Sequence, residues 1–134
     1  MMSLGLKRWR LAAVLFVSSC TLWAAGNLVP KWNYYAPAAI LFTPTVGWDG
    51  SVYMATDDSL IRAVSPNGQT LWAVDPGGRP SAGMALQGNL LYFPTSQGDL
   101  AAYDVNGKLA WRTPLGSALS TTPAVAADGT IYVA

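Results

Sequence analysis

The sequence has no histidine and no glutamate, and its only cysteine is Cys20. A single cysteine excludes an intrachain disulfide and a metal site built from several thiolates. All seven acidic residues are aspartates, and only 11% of the residues are charged. The side chains of these 134 residues assemble no recognisable catalytic constellation, which agrees with a binding role better than with an enzymatic one.

The sequence also lacks a strong excess of charge of one sign. Its formal net charge is +1, but three of its eight basic residues, Lys7, Arg8 and Arg10, precede an apolar run near the N-terminus. Without these three, five basic residues stand against seven acidic ones, which gives a net charge of −2. A surface that binds a polyanion needs clustered positive charge, so nucleic acid is not an expected partner.

The N-terminal apolar run is shorter than an ordinary membrane-spanning helix requires. It begins at Leu11 and continues through small residues to Ala25, whereas a spanning helix needs about 20 apolar residues. A basic start, a short apolar stretch and small residues at its end are typical of an export signal. We therefore expect residues 1–25 to be a signal helix, and the alternative is an anchor that is not cleaved.

Two cleavage schemes fit this leader. Val17-Ser18-Ser19-Cys20 resembles the lipobox of bacterial lipoproteins, in which the cysteine becomes the lipidated first residue of the mature chain. Ala24-Ala25-Gly26 offers the small residues that an ordinary signal peptidase recognises. Cys20 is thus either a lipid attachment site or a discarded leader residue. Both schemes predict an exported protein that is periplasmic, anchored to the outer membrane or extracellular, and that meets a membrane only through its leader or a lipid.

Beyond the leader, the chain carries an internal repeat. Tyr53, Tyr92 and Tyr132 recur at nearly equal intervals, and Trp72 and Trp111 are separated by the same interval as the first two tyrosines. A period of about 40 residues is typical of propeller blades with four strands, which bury their faces only against neighbouring blades. We expect these tyrosines and tryptophans to be structural residues that pack the blades together.

Each repeat carries the signals of a four-stranded antiparallel meander. Asp49-Gly50 and Asp128-Gly129 mark a tight turn before a strand, and Asn67-Gly68 and Asn106-Gly107 mark a second turn later in the repeat. These pairs tolerate the positive φ angles of hairpin turns. Residues 39–134 are therefore predicted to be all-β and to form about two and a half blades of a partial β-propeller.

Trp32 keeps the register of the repeat although no complete blade precedes it. Its separation from Pro44 along the chain equals the separation of Trp111 from Pro123. Residues 26–38 are thus predicted to be a tether with a possible strand that closes the ring by completing its last blade. Such closure removes unpaired sheet edges. In the alternative interpretation, Trp32 is an aromatic residue of a linker.

The third repeat ends within its second strand. Closed propellers have roughly four to eight blades, which is more than residues 39–134 provide. We expect this chain to be a truncated part of a ring.

The run from Ala102 to Trp111, Ala-Tyr-Asp-Val-Asn-Gly-Lys-Leu-Ala-Trp, resembles the repeat of the pyrroloquinoline-quinone (PQQ)-like β-propeller family. Asp128-Gly129-Thr130-Ile131-Tyr132-Val133 resembles the hairpin that opens this repeat. The resemblance covers about residues 40–134, and Ala63-Val64-Ser65 departs from it in the first copy. It implies one of two classes, the quinoprotein dehydrogenases with PQQ and calcium, or non-catalytic propellers that include an outer-membrane assembly lipoprotein.

The sequence favours the non-catalytic class. Calcium takes six to eight oxygen ligands, and Asp57-Asp58, the only adjacent acidic pair, is more simply a solvated turn between strands. The family's dehydrogenases tend to carry a vicinal cysteine pair, which this sequence lacks. No catalytic, metal or cofactor site is predicted, and PQQ and calcium enter only in the dehydrogenase alternative.

One tryptophan stands outside the repeat. Trp48 is replaced by Gln87 and Ala127 in the other copies, so it is the best candidate for a contact with a partner. The sequence thus predicts an exported binding or scaffolding module of the cell envelope, with envelope proteins as partners. The alternatives are the N-terminal fragment of a PQQ-dependent dehydrogenase and a non-functional truncated remnant.

Overall fold

The computed structural model describes residues 30–134, which contain β-strands and turns but no helix. The chain divides into two units, Met1–Tyr35 and Ala36–Ala134. In the described part of the first unit, residues 30–35 have no strand. The predicted signal helix and Cys20 lie outside the described residues, and the ring-closing role of Trp32 stays a prediction.

Short, punctuated segments of the second unit form ten strands. Their bounds are β1 (Thr45–Val46), β2 (Val52–Ala55), β3 (Ile61–Val64), β4 (Thr70–Val74), β5 (Ala85–Gln87), β6 (Leu90–Pro94), β7 (Asp99–Asp104), β8 (Leu109–Pro114), β9 (Ala124–Val125) and β10 (Ile131–Tyr132). They make two four-stranded sheets, β1-β2-β3-β4 and β5-β6-β7-β8, and a two-stranded sheet of β9 and β10. All pairs are antiparallel and join strands that follow one another in sequence. We call these sheets blades 1, 2 and 3.

The two complete blades share their irregularities as well as their order. The pairing of β3 with β4 shifts register between Ala63 and Val64, and that of β7 with β8 shifts between Ala102 and Tyr103. These positions are one repeat apart, so the repeat in the sequence specifies the local geometry of the strands. Gly68 and Gly107, in the turns just after the shifts, both have φ angles near +80°, a conformation in which glycine avoids the steric cost of a Cβ atom.

The main hydrophobic core lies between blade 1 and blade 2. Blade 1 contributes Tyr53, Ile61 and Ala63, all buried, from the face that follows the alternation of β2 and β3. The β5–β8 sheet and the segment before it contribute Met84, Leu91, Phe93, Ala101 and Tyr103. Since each sheet buries one face on its neighbour, stacking of the blades rather than any single blade forms this core.

Polar contacts between blades join positions that are about one repeat apart. Thr45 donates its hydroxyl to the carbonyl of Met84 at 2.7 Å, and this partner is 39 residues further along the chain. The Gln87 amide donates to the carbonyl of Ala126 at 2.9 Å, again across 39 residues. The same step therefore relates blade 1 to blade 2 and blade 2 to blade 3. The predicted all-β architecture of four-stranded antiparallel blades, with about two and a half present, is confirmed.

Candidate interaction surface

A tyrosine and a tryptophan pair in each complete blade. The rings of Tyr53 and Trp72 have their centroids 5.9 Å apart, and so do those of Tyr92 and Trp111. In each pair an alanine of the intervening strand separates the two residues across the sheet. Burial raises the pKa of the Tyr53 hydroxyl, so this group stays neutral at physiological pH.

Trp72 also reaches the next blade. Its indole N–H donates a 2.9 Å hydrogen bond to the carbonyl of Val105 in blade 2. Its ring lies over Gly107, where an added Cβ atom would lie 2.8 Å from Cδ2 of the indole. The turn of blade 2 therefore needs a glycine at this point for two reasons, its positive φ angle and the ring above it.

The other aromatic residues singled out from the sequence have different environments. Tyr132, on β10 of the two-stranded sheet, is 62% exposed, whereas its equivalent Tyr53 is 2% exposed. Trp32 is half-buried in the first unit. The pairing of Phe93 with Tyr103, with ring centroids 5.6 Å apart, was not predicted. It escaped sequence reasoning because Phe93 and Tyr103 do not recur at the repeat period.

Trp48 occupies the tip of the β1–β2 hairpin and is 96% exposed. Two backbone hydrogen bonds hold the turn, from Gly47 N to Ser51 O at 2.8 Å and from Gly50 N to Gly47 O at 3.0 Å. The Asp49 carboxylate accepts from the backbone N–H and the hydroxyl of Ser51, at 2.9 and 2.8 Å. These bonds lower the pKa of Asp49, so the turn that carries Trp48 keeps a negative charge at neutral pH.

The turns of the second unit form two sets because successive strands run in opposite directions. The Trp48 end comprises the turns at 47–51, 65–69, 88–89, 105–108 and 126–130, together with the strand ends that flank them. The far end comprises the turns and connections at 56–60, 75–84, 95–98 and 115–123. The two ends differ in the groups that bind their aspartate side chains.

At the far end, three of the four aspartates, Asp57, Asp58 and Asp99, pair with arginines, and Asp75 accepts from the backbone N–H of Gly77. Arg62 binds Asp58 through both of its terminal nitrogens, with Nη1 2.8 Å from Oδ1 and Nη2 2.5 Å from Oδ2, and it also donates to the hydroxyl of Thr56. Arg79 pairs with Asp57, which links the turn of blade 1 to the connection that precedes blade 2. Asp57 and Asp58 are therefore turn residues as expected, and their arginine partners were not predicted from the sequence.

Arg112 lies near this same end of the sheets. It lies 3.5 Å from the carboxylate of Asp99 and donates to the carbonyl of Pro76. The sequence does contain a signal for the ion pair of Arg62. Arg62 lies within a strand, at the position where blade 2 has Ala101, and a buried charge requires a partner.

Residues 30–134 show no group of three or more metal-ligating side chains. Across the same stretch, no helix has the length and apolar character needed to cross a membrane. What the described residues do present is the exposed Trp48 on a hydrogen-bonded hairpin, and the aspartates of the turns at the same end.

The sheets, their order and their repeat define the class of this protein, a partial β-propeller of PQQ-like repeats. A family model described as outer membrane protein assembly factor BamB matches residues 57–134. This is more than half of the chain, so the chain belongs to this family, as the resemblance of the repeats predicted. No curated protein matches the sequence significantly.

Solved structures share the fold. BamB from Moraxella catarrhalis superposes with a TM-score of 0.65 at 18% identity, over 75% of this chain and 32% of that one. Quinohemoprotein alcohol dehydrogenase from Comamonas testosteroni gives a TM-score of 0.57 at 24% identity, over 67% of this chain and 16% of that one. The chain thus spans about a third of the first protein and about a sixth of the second, and these likenesses show the fold alone.

Proposed function

We propose that this chain is an exported, non-catalytic propeller module that binds or scaffolds proteins of the cell envelope. The observation that carries the proposal is the family match over residues 57–134, whose description is an outer membrane assembly factor. The exposed Trp48 hairpin supports it, because an exposed tryptophan on a rigid turn is a typical anchor for a protein partner.

We further propose that residues 1–25 direct export and that Cys20 carries a lipid. A basic start and a short apolar stretch support export, and the run Val17-Ser18-Ser19-Cys20 supports lipidation. A lipidated N-terminal cysteine provides several acyl chains, which suffices for stable anchoring where a single chain does not. The second scheme, cleavage after Ala25, predicts the same export without the anchor.

Fractionation of cells that express the full chain tests both parts of this proposal. Recovery with the outer membrane and an added acyl mass on Cys20 are expected, and Cys20→Ser should abolish the acyl mass. Chemical crosslinking of the same cells should place the chain in a complex with envelope proteins. A chain that stays in the cytoplasm, or that forms no crosslinked complex, would contradict the proposal.

The second candidate is a fragment of a PQQ-dependent dehydrogenase. The fold shared with the Comamonas alcohol dehydrogenase is compatible with it, at 24% identity over 67% of this chain. It predicts that the purified chain binds PQQ in the presence of calcium, which quenching of tryptophan fluorescence would detect. The non-catalytic proposal predicts no saturable binding, and calcium alone should leave the thermal midpoint unchanged.

A further inference from the structure

The Trp48 hairpin, residues 46–51, exposes apolar surface that the repeat does not need. Trp48 is 96% exposed and Val46 is 64% exposed, although most large apolar side chains of blade 1 are buried. The equivalent positions in the other blades hold Gln87 and Ala127, and the Gln87 amide bonds to the neighbouring blade instead. Because the fold tolerates a small or polar residue here, the indole is not required for packing between blades.

The hairpin also holds the indole on a fixed backbone. Gly47 lies so close to its surroundings that an added Cβ atom would be 2.9 Å from Asp49 Oδ1 and 3.2 Å from the ring of Tyr53. Gly50 has a φ angle of +82°. The turn is held by the backbone hydrogen bonds from Gly47 to Ser51 and from Gly50 to Gly47, and a turn that is already ordered loses little backbone freedom when a partner binds, which favours affinity.

Charge at the Trp48 end determines the kind of partner that fits. Asp49, Asp104 and Asp128 lie at this end, and each bonds to backbone N–H groups of its own turn. Lys108 is the one basic residue in the described turns of this end, so three aspartates stand against one lysine, a net charge of −2. The arginines of the second unit pair with aspartates nearer the far end.

We propose that the Trp48 hairpin docks a protein segment in which basic and apolar residues alternate, with a lysine or arginine placed over the indole beside Asp49. This proposal rests on the proposed role as a binding module and names its surface and the chemistry of its partner. A cation over a tryptophan ring is attracted by the negative face of the ring, and tryptophan is the best aromatic residue for this contact. Nearby carboxylates of like sign raise the rate of encounter with a basic segment and reject an acidic one.

The test uses the purified full chain and two labelled twelve-residue peptides. One peptide repeats Gly-Lys-Leu four times, and the other repeats Gly-Glu-Leu. Fluorescence anisotropy should show saturable binding of the lysine peptide and at least tenfold weaker binding of the glutamate peptide. Trp48→Ala should weaken binding of the lysine peptide about tenfold, and Trp48→Phe should weaken it less.

Two further variants separate the charge from the fold. Asp49→Asn keeps an oxygen that accepts from Ser51 but removes the charge, so binding should weaken several-fold and depend less on salt. Leu115→Ala is the matched control, because Leu115 is an exposed apolar residue at the far end. It should change the dissociation constant less than twofold. Circular dichroism of each variant should match the parent chain.

Each other outcome overturns the proposal. Equal binding of the two peptides, or equal effects of Trp48→Ala and Leu115→Ala, shows that the hairpin is not the basic-segment surface. Sedimentation that reveals self-association lost in Trp48→Ala identifies a second copy of the chain as the occupant instead. If crosslinking in cells yields an envelope complex that Trp48→Ala leaves intact, this inference fails while the proposed function stands. If no envelope complex forms at all, the proposed function fails with it.

Discussion

Blades 1 and 2 have the same strand order and the same register shift, but they stabilise equivalent turns in different ways. In blade 1, the turn between β2 and β3 carries a network of Thr56, Asp58 and Arg62. In blade 2, the positions one repeat later hold Thr95, Gln97 and Ala101. The hydroxyl of Thr95 is buried without a hydrogen-bond partner, whereas that of Thr56 has three.

This difference shows which parts of the repeat are interchangeable. The tyrosine and the tryptophan recur as a ring pair within each complete blade, and the Trp72 ring also lies over Gly107 of the next blade. The turn between the second and third strands of a blade accepts either an ion pair or neutral residues. Where a buried arginine is present, as in blade 1, it needs its carboxylate partner. A buried ion pair is often no more stabilising than apolar residues of similar volume, but loss of one partner is costly.

The largest expected effect comes from the tryptophans. Trp72→Ala should lower the free energy of unfolding by about 3 kcal/mol, because it removes half-buried ring surface and leaves Val105 O without its donor. Trp111→Ala should cost about 1 kcal/mol, since Trp111 contacts Tyr92 of its own blade and no described residue of blade 3 accepts from its indole. Urea unfolding of the full chain followed by circular dichroism measures both.

Equal losses for Trp72→Ala and Trp111→Ala would show that contacts within a blade, rather than between blades, dominate. Gly107→Ala provides an independent check, because its Cβ atom would collide with the Trp72 ring. Its cost should shrink in a Trp72→Ala background, as expected for residues in contact.

A second prediction concerns the ion pair of blade 1. Asp58→Asn should lower the thermal midpoint by several degrees, because it leaves Arg62, whose side chain is 6% exposed, without its counter-charge. At the equivalent position of blade 2, Gln97→Asn should leave the midpoint nearly unchanged. The exposed pair of Arg79 with Asp57 should contribute little, so Asp57→Asn should cost less than about 1 kcal/mol.

The double variant Asp58→Gln/Arg62→Met makes the turn of blade 1 neutral, like that of blade 2. It should be more stable than Asp58→Gln alone, because it no longer buries a cation that has lost its carboxylate. A double variant that is less stable than the single one would show that Arg62 stabilises the blade through its packing rather than its charge.

A third prediction concerns the same turns. Ser59 has a φ angle of +66°, and the equivalent residue of blade 2 is Gly98 at +83°. Ser59→Gly should therefore stabilise the chain by about 0.5 kcal/mol, since glycine adopts this conformation without a steric cost. Gly98→Ser should destabilise it by more than about 1 kcal/mol, because its Cβ atom would lie 3.0 Å from the backbone of Ser117. Urea unfolding should show that Ser59→Gly raises the free energy of unfolding and that Gly98→Ser lowers it.

The smallest expected effect is the change in thermal stability with pH around neutrality. The pKa values of Asp49, Asp58, Asp104 and Asp128 are lowered, chiefly by hydrogen bonds to their carboxylates. A carboxyl group whose pKa is lower in the folded state stabilises the fold at pH values above its unfolded pKa of 3.8. This stabilisation is lost as the pH falls through the pKa of the folded state. With no histidine, the thermal midpoint should stay nearly constant from about pH 5 to 9 and fall below about pH 4.

The raised pKa of Tyr53 acts at the other extreme. Its stabilising effect is complete at pH values below the ordinary tyrosine pKa of 10.0 and is lost as the pH rises through the folded-state pKa.

Asp58→Asn should flatten the acid limb of the pH profile, and Gln97→Asn should not. A midpoint that varies strongly between about pH 5 and 9 would contradict this assignment of the titrating groups.

The sequence alone predicted the repeat, the four-stranded blades and the positions of their turns. It could do so because Asp-Gly and Asn-Gly pairs act locally, through the backbone conformations that they tolerate. It also singled out Trp48, since a residue that departs from a repeat is visible without coordinates. It missed the pairing of Arg79 with Asp57, 22 residues apart, because a contact at that separation has no periodic signal.

What the sequence determined by itself is therefore the class of fold and the spacing of its blades, because both follow from local turn chemistry and a fixed period. The tertiary structure alone decided which groups meet across the blades. It placed the Trp72 ring on Gly107, the arginines among the carboxylates of the far end and the Trp48 indole in solvent. These outcomes depend on how blades stack and on which polar groups lose water, and both are settled only when distant segments come together.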